Sequence, residues 1–388
     1  MTIENYGQLN IAMIGQKSVP SRDGGIDVVV GELAPEMVKK GNVLTLFNRR
    51  RKHAKGTTLP KEYKGCSLVE CYTINKRSLD ALVYSYFATK KAIKMAKKGL
   101  LDVVHYHAEG PCFFLYKFPK KQKRKYRIVV TVHGIDSMRA KWKGLGSKVL
   151  KACENRIVKY ADEIIVLSKK DHDYFIEKYG RETTIIPNGA MPAVFKQPNL
   201  IKEKWGLDKN QYLLSVTRIV PEKGLHYLIE AFLRATEKTG SKVKLVLAGS
   251  FNHDKAYYDK IVNMCKDKEN IVLTDFVCGE VLQELYSNAL LYVLPSELEG
   301  MSMALIEAIA YQRPCLVSNI PENANVVGEN GYLFESTSVE SLTEKLEELL
   351  TAKQPLRVPK NNQMSWEEVA SKTLEVYKGA LDESSISE

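Results

Sequence analysis

The sequence lacks the features that would place it in a membrane or in an oxidising compartment. No run approaches the ~18 consecutive apolar residues of a spanning helix. The opening stretch MTIENYGQLNIAMIG has no basic segment followed by an apolar core, so it does not resemble a signal peptide. The seven cysteines are scattered, odd in number and free of any CxxC pair. We therefore expect a cytoplasmic protein whose cysteines are reduced thiols in the core.

Motifs for nucleic-acid binding and for metal binding are also missing. The chain has no zinc-finger spacing, no RNP-type aromatic strand and no KH-type loop. His107 and His133 have no third ligand at a recognisable spacing. We predict neither a nucleic-acid partner nor a bound metal.

Charge is distributed unevenly between the two halves of the chain. Residues 1–200 carry 37 Lys and Arg against 18 Asp and Glu, a balance of +19, whereas residues 201–388 carry 20 against 28, a balance of −8. Such asymmetry favours a polyanionic partner for the first half. We interpret it as contact with an anionic membrane surface; an ordinary solvated basic surface is the alternative.

Short apolar runs alternate with helical segments, and this pattern occurs twice along 388 residues. Strands are predicted at 9–14, 43–47, 103–107, 128–133 and 164–167, and again at 212–216, 244–248, 271–273, 291–294 and 315–318. The alternation predicts an α/β fold with two Rossmann-like, doubly wound domains facing each other across a cleft. The predicted domains are 1–190 and 191–364, followed by a helix at 365–381 that packs back on the first domain. The tail 382–388 is predicted to be disordered.

One loop carries two carboxylates eight residues apart, Glu299 and Glu307, in the stretch EGMSMALIE. It follows a predicted strand, and a helix is expected to begin near Met301 or Ser302. Backbone N–H groups and the positive helix end then point at one place, which suits an anion. The carboxylates themselves suit the hydroxyls of a nucleotide sugar. A surface Glu and a helix-start Glu are the alternative interpretation.

Two cations and two histidines also follow predicted strands. Arg218 and Lys223 lie in a strand-to-helix loop with Gly224, where a guanidinium and an ammonium suit a pyrophosphate. A surface loop with two exposed cations is the alternative interpretation, and alanine at either position is expected to leave folding nearly unaffected. His107 and His133 each end a strand, where a histidine can bind a sugar hydroxyl or move a proton. We expect both histidines to point toward the cleft; a structural histidine that ends a strand is an equally good interpretation for His107.

Eight segments together resemble the family-4 retaining glycosyltransferases, which have the GT-B fold. The resemblance covers nearly the whole chain. The stretches HYHAEGP (105–111) and VTVHGIDSMRAKW (130–142) are further similar to a branch that is common in capsule and exopolysaccharide biosynthesis. The segments are DGGIDVVVGELAPEMVKKG, DVVHYHAEG, VVTVHG, ADEIIVLS, IPNGA, SVTRIVPEKG, KLVLAGS and LPSELEGMSMALIEAIAYQRPCLVS.

The resemblance implies a role for each matching residue. It implies a first domain that binds the acceptor and a second that binds a nucleotide-sugar, with Glu299 on the donor sugar and Glu307 on the ribose. It also implies that Arg218 and Lys223 bind the diphosphate and that His133 lies near the reacting carbon. The donor site also includes Gly24 and Gly25, the loop residues Phe276, Val277 and Cys278, and the turn residues Gly300, Met301, Ser302 and Met303.

The resemblance also implies the reaction and its partners. The expected activity is retaining, metal-independent transfer from a nucleotide-sugar, with UDP as the predicted nucleotide, to a saccharide or a lipid-linked saccharide. No cofactor is expected. A sugar-nucleotide epimerase of the same fold and a transferase that uses GDP- or dTDP-sugars are the alternatives.

Two sequence features bear on this expectation. The Asp-His-Asp triplet at 171–173 resembles the DxD metal motif of many sugar transferases, but it follows Ser168 at a predicted helix start, and we interpret it as capping. Arg139, Lys141, Trp142 and Lys143 follow His133 closely, and a tryptophan among cations suits a lipid headgroup region. We predict peripheral binding to the inner face of the cell membrane through this segment. His107 is a further candidate for contact with the acceptor.

Overall fold

The computed structural model describes residues 7–22, 24–50, 60–74, 79–135, 145–250 and 254–382. The predicted membrane segment with Arg139, Lys141, Trp142 and Lys143 lies outside these residues, as does the tail 383–388. The chain divides into two units: unit 1 comprises Met1–Gly189 and Met364–Glu388, and unit 2 comprises Ala190–Gln363.

Within the described ranges, unit 1 is built on an eight-stranded sheet of order β3-β4-β2-β1-β5-β6-β7-β8, in which β3 and β4 alone pair antiparallel. The central strands are buried along their whole length because helices cover both faces of a parallel sheet. The strands are β1 (Asn10–Ile14), β2 (Val43–Arg49), β3 (Glu62–Tyr63), β4 (Cys66–Cys71), β5 (Val103–His107), β6 (Arg127–Val132), β7 (Glu163–Val166) and β8 (Thr184–Ile185).

Four helices connect these strands. They are α1 (Gly25–Lys39), α2 (Leu79–Lys97), α3 (Leu145–Tyr160) and α4 (Lys169–Tyr179). α4 begins where the sequence indicates, because the Ser168 hydroxyl accepts from the backbone N–H of Asp171 and donates to its carboxylate. The capping prediction for the triplet is therefore confirmed.

In its described residues, unit 2 holds a six-stranded, fully parallel sheet of order β11-β10-β9-β12-β13-β14. Apolar clusters fill the space between the sheet and its helices on both faces. The elements are α5 (Leu200–Trp205), β9 (Tyr212–Val216), α6 (Leu225–Thr239), β10 (Lys244–Ala248), α7 (Lys255–Cys265), β11 (Ile271–Asp275), α8 (Gly279–Asn288), β12 (Leu291–Leu294), α9 (Met303–Ala310), β13 (Cys315–Ser318), α10 (Pro321–Val327), β14 (Tyr332–Phe334) and α11 (Val339–Leu350).

The last helix, α12 (Trp366–Asp382), belongs to unit 1. Its residue Tyr377 is fully buried there and bonds to His105 of β5. The ten predicted strands are all present; five have the predicted bounds and the ends of the others differ by at most two residues. The short edge strands β3, β8 and β14 and the half-exposed β4 have no counterpart among the predictions.

The cysteine prediction needs a correction. Five of the seven cysteines are buried free thiols, but Cys265 is half-buried and Cys278 is exposed. Cys278 lies outside the core because it ends a loop after β11 and precedes the first turn of α8. Among the residues that the structure describes, no helix combines the length and the apolar character needed to cross a bilayer.

Candidate functional site

In unit 2, a buried ion pair lies where two neighbouring strands end. Lys223 follows β9, Glu299 follows β12, and these strands pair in parallel, so the loops after them meet at one sheet edge. Lys223 Nζ donates to Glu299 Oε1 at 2.5 Å, and the side chains are 11% and 7% exposed. Ser296 Oγ donates to the same carboxylate oxygen at 2.7 Å. The alternative interpretation, a surface loop with two exposed cations, does not hold for Lys223, because a carboxylate from a distant loop buries it.

A glycine makes this close approach of the two loops possible. Gly224 has φ +65°, and a Cβ at this position would lie 2.2 Å from the backbone oxygen of Pro295. Any other residue would force the loop after β9 away from the loop after β12, and Lys223 away from Glu299 with it. Gly224 therefore positions the pair and also begins α6.

The second carboxylate, Glu307, lies in the second turn of α9, which begins at Met303. Ser302 is the N-cap, with its hydroxyl accepting from the backbone N–H of Leu305. Burial raises the pKa of the Tyr292 phenol well above its usual range, and the negative charges of Glu299 and Glu307 are among the smaller causes of the same shift. Both carboxylates therefore act on one buried ring, a residue that we did not single out from the sequence.

The remaining predicted donor residues of unit 2 are accessible. Arg218 is half-buried in the loop after β9. Phe276 is 46% exposed, Cys278 is exposed and Val277 is partly buried, so the loop after β11 offers an aromatic ring and backbone groups to solvent. Gly300, Met301 and Met303 are also half-exposed around the start of α9.

In unit 1, the two predicted histidines contact each other. His107 Nδ1 lies 3.1 Å from His133 Nε2, and the rings stack with centroids 5.4 Å apart. His107 is fully buried, while His133 is half-buried. The strand of His107 lies in the middle of the sheet and its ring packs between His105 and His133, which favours a structural role for this residue over a direct contact with an acceptor.

The glycine loop of unit 1 leads into α1. Gly24 is the N-cap residue and has no side chain to cap the helix, while the space around a Cβ at Gly25 is open. The buried carboxylate of Asp27 accepts from the backbone N–H groups of Lys17 and Ser18 at 2.6 and 3.3 Å, and burial raises its pKa. Asp27 thus holds the preceding loop in place, whereas the N–H groups of the first turn of α1 suit an anion.

The Asp-His-Asp triplet does not form a cluster of metal ligands. Asp171 is buried against Ser168, and Asp173 forms an exposed ion pair with Lys169. Within the described ranges, no group of three His, Cys, Asp or Glu side chains is placed to hold a metal ion.

Two α/β units with parallel sheets and charged loops at the strand ends define a GT-B-type protein. Sucrose-phosphate synthase of Thermosynechococcus elongatus has the same fold, with a TM-score of 0.78 over 95% of this chain and 98% of that one at 20% identity. HepE of Anabaena, solved with UDP and glucose, matches with a TM-score of 0.74 over 95% and 99% of the two chains at 15% identity.

The sequence comparisons define the family. The family described as Glycosyltransferase Family 4 matches residues 23–193, and Glycosyl transferases group 1 matches residues 198–366. The chain is therefore a glycosyltransferase and belongs to family 4, as the resemblance of its motifs indicates.

Curated relatives span most or part of the chain. The uncharacterized glycosyltransferase MJ1607 of Methanocaldococcus jannaschii is 25% identical over 96% of this chain and 99% of its own length. The capsular polysaccharide biosynthesis glycosyltransferase CapM of Staphylococcus aureus is 28% identical over 54% and 57% of the two chains. The Escherichia coli UDP-Gal:alpha-D-GlcNAc-diphosphoundecaprenol alpha-1,3-galactosyltransferase is 28% identical over 65% and 67%.

Proposed function

We propose that this protein is a retaining, metal-independent glycosyltransferase of cell-surface polysaccharide biosynthesis. It transfers a sugar from a UDP-sugar to a saccharide or a lipid-linked saccharide. The observation that supports this best is the buried Lys223–Glu299 pair at the carboxyl edge of the unit 2 sheet, where Lys223 and Arg218 share the loop after β9. Open α/β sheets bind their ligands at this edge.

Unit 2 binds the nucleotide-sugar. Arg218 and Lys223 contact the diphosphate together with the N–H groups at the start of α9. Glu299 contacts the donor sugar, and Glu307 contacts the ribose. The exposed loop of Phe276 to Cys278 contacts the nucleobase.

The reaction that fits these groups is same-face displacement. The acceptor oxygen bonds to the anomeric carbon as the bond from that carbon to the diphosphate oxygen breaks, and the leaving diphosphate takes the acceptor's proton. Arg218 and Lys223 stabilise the negative charge that develops on the diphosphate, which is the role that a metal has in other transferases. In unit 1, His133 contacts a hydroxyl of the transferred sugar.

The names of relatives support the donor and acceptor classes. A relative from Escherichia coli transfers galactose from UDP to a diphosphoundecaprenol-linked sugar, and CapM acts in capsule biosynthesis. A mycobacterial relative, 21% identical, is GDP-mannose-dependent, which supports GDP as the second candidate nucleotide.

A lipid-linked acceptor fits the basic character of unit 1. Its helix α2 carries four exposed lysines toward its C-terminal end, and a fifth follows the helix directly; they are Lys90, Lys91, Lys94, Lys97 and Lys98. We propose that this face contacts an anionic membrane at the cytoplasmic side, where each cation near the surface adds about 1 kcal/mol at low salt.

The test is a donor panel. UDP-, GDP- and dTDP-sugars are compared by thermal shift and by sugar release, and the product's anomeric configuration is read by NMR. UDP-sugars should stabilise the protein most, and the product should keep the donor's configuration. Inversion would contradict the retaining mechanism, and conversion of the donor alone into a second sugar nucleotide would indicate an epimerase.

A further inference from the structure

Three histidines of unit 1 form a stack that the proposed reaction does not explain. The rings of His105 and His107 lie 4.1 Å apart, and His107 in turn stacks on His133. His105 and His107 are fully buried, and burial lowers the pKa of both, that of His105 to about 3. Their rings are therefore neutral near pH 7, and each carries one proton, on either Nδ1 or Nε2.

The inner end of the stack is held by hydrogen bonds from the last helix. Tyr377 Oη lies 2.6 Å from His105 Nδ1, and His105 Nε2 lies 2.7 Å from Thr131 Oγ1. Burial keeps Tyr377 protonated, and the hydroxyls of Tyr377 and Thr131 can each donate or accept, so both bonds hold His105 whichever of its nitrogens carries the proton. The position of His105 is thus set by α12 and β6.

The backbone around His107 is held just as closely. Ala108 has φ +76°, a region that costs a non-glycine residue of order 1–3 kcal/mol and persists only where the surroundings determine it. Its N–H donates to Thr131 O at 2.9 Å. Gly15 approaches from β1 so closely that a Cβ would lie 2.1 Å from His107 O.

The surroundings of His107 indicate which ring carries the proton between His107 and His133. Among the described residues, no protein group forms a hydrogen bond with the buried Nε2 of His107. If His133 donated to His107, this Nε2 would carry a buried N–H without a partner, which proteins tolerate less often than an unused acceptor. The arrangement with the lower cost has the proton on His107 Nδ1, donated to His133 Nε2.

We propose that His107 is a positioning residue for His133: by donating to Nε2, it fixes the His133 ring and places the His133 proton on Nδ1. His133 then presents a neutral ring whose donor is Nδ1. The effect of this hydrogen bond on catalysis rests on the proposed function, in which His133 contacts the transferred sugar. The assignment of the proton does not depend on that function.

The first test is the protonation state of the ring. Long-range ¹H–¹⁵N spectra of the full-length protein distinguish the two neutral forms of each of its seven histidines. We expect the Nδ1–H form for His133 in the wild type and a mixture or the Nε2–H form in His107→Leu. A wild-type His133 in the Nε2–H form would overturn the proposal, whether or not the protein transfers sugar.

The second test separates the hydrogen bond from packing. In His107→Asn, the amide nitrogen replaces Nδ1 as a donor, whereas His107→Leu keeps an apolar side chain without one. With the UDP-sugar that is turned over, we expect kcat to fall about 10- to 100-fold in the Leu variant, the range known for partners that orient histidines in metal sites, and to recover largely in the Asn variant.

The control is His172→Leu, which removes another histidine whose Nδ1 is hydrogen-bonded, in this case to Thr183 of unit 1. Its kcat should stay near that of the wild type, and KM for the donor should change little in all three variants. Equal losses of kcat in the Asn and Leu variants of His107 would mean that the residue acts only through packing and would overturn the proposal. If neither the wild type nor any variant transfers sugar, the proposed function is wrong, and the spectra alone then test the assignment of the His133 proton.

Discussion

Replacement of Lys223 by methionine should lower both stability and activity, and the two effects can be separated. The ammonium forms an ion pair with a carboxylate that is 7% exposed, and it is itself only 11% exposed. Removing one partner of such a pair leaves a buried charge, which costs about 3–5 kcal/mol. Because Ser296 still donates to Glu299, we expect the lower end, about 3 kcal/mol.

This loss has a measurable size. For a cooperative unit of about 150–250 residues, 1 kcal/mol shifts the midpoint of thermal unfolding by about 2–4 °C, so Lys223→Met should lower Tm by about 6–12 °C. The assay is calorimetry or circular dichroism without nucleotide. Activity should fall at least ~100-fold in kcat/KM, since a charge-assisted contact to the diphosphate is worth about 2–4 kcal/mol in a dry site.

A double variant separates the two roles. Lys223→Met with Glu299→Leu removes both charges, and Tm should return toward the wild-type value because no buried charge remains unpaired. Activity should stay lost in this variant. The matched control is Lys255→Met, which breaks an exposed pair with Asp259 in the same unit, at 2.7 Å and with side chains 77% and 48% exposed. The free energy of unfolding of this control should change by no more than about 0.5 kcal/mol, so its Tm should stay close to that of the wild type.

Two results would refute this reasoning. A Tm for Lys223→Met equal to that of the Lys255 control would mean that the pair is not buried in solution. A double variant that is no more stable than Lys223→Met would mean that the loss comes from packing rather than from the unpaired carboxylate.

Four further predictions follow from the site. Arg218→Ala should lower kcat/KM at least ~100-fold with an unchanged Tm, and turnover at the wild-type rate would remove the diphosphate role. Glu307→Gln should weaken binding of UDP as well as of the donor, since both carry the ribose; unchanged UDP affinity by calorimetry would contradict the ribose contact. Activity should persist in excess EDTA, because Asp171 and Asp173 cap and support a helix; loss with recovery on adding Mn²⁺ or Mg²⁺ would show a metal requirement. The protein should co-sediment with anionic but not with neutral vesicles at low salt, and equal binding to both would leave the basic face of unit 1 without a lipid role.

The sequence alone determined which residues form the elements and where the loops that carry the chemistry begin. The parallel strands are nearly continuous apolar runs bounded by glycine, proline or polar residues, and such local patterns are visible in the sequence without knowledge of the residues that pack around them. Ser168 and Ser302 likewise mark helix starts, because capping depends on residues three positions apart.

The tertiary structure decided how distant side chains pair and which of them are buried. Lys223 and Glu299 are 76 residues apart, and Tyr377 and His105 are 272 apart, so no local pattern indicates either contact. The order of the strands brings the loops after β9 and β12 together, and the packing of α12 on unit 1 brings Tyr377 to β5. His107 is predicted from the sequence to end a strand and point toward the cleft, but it is buried. Burial depends on the strands and helices that pack around a residue, and these come from the whole chain.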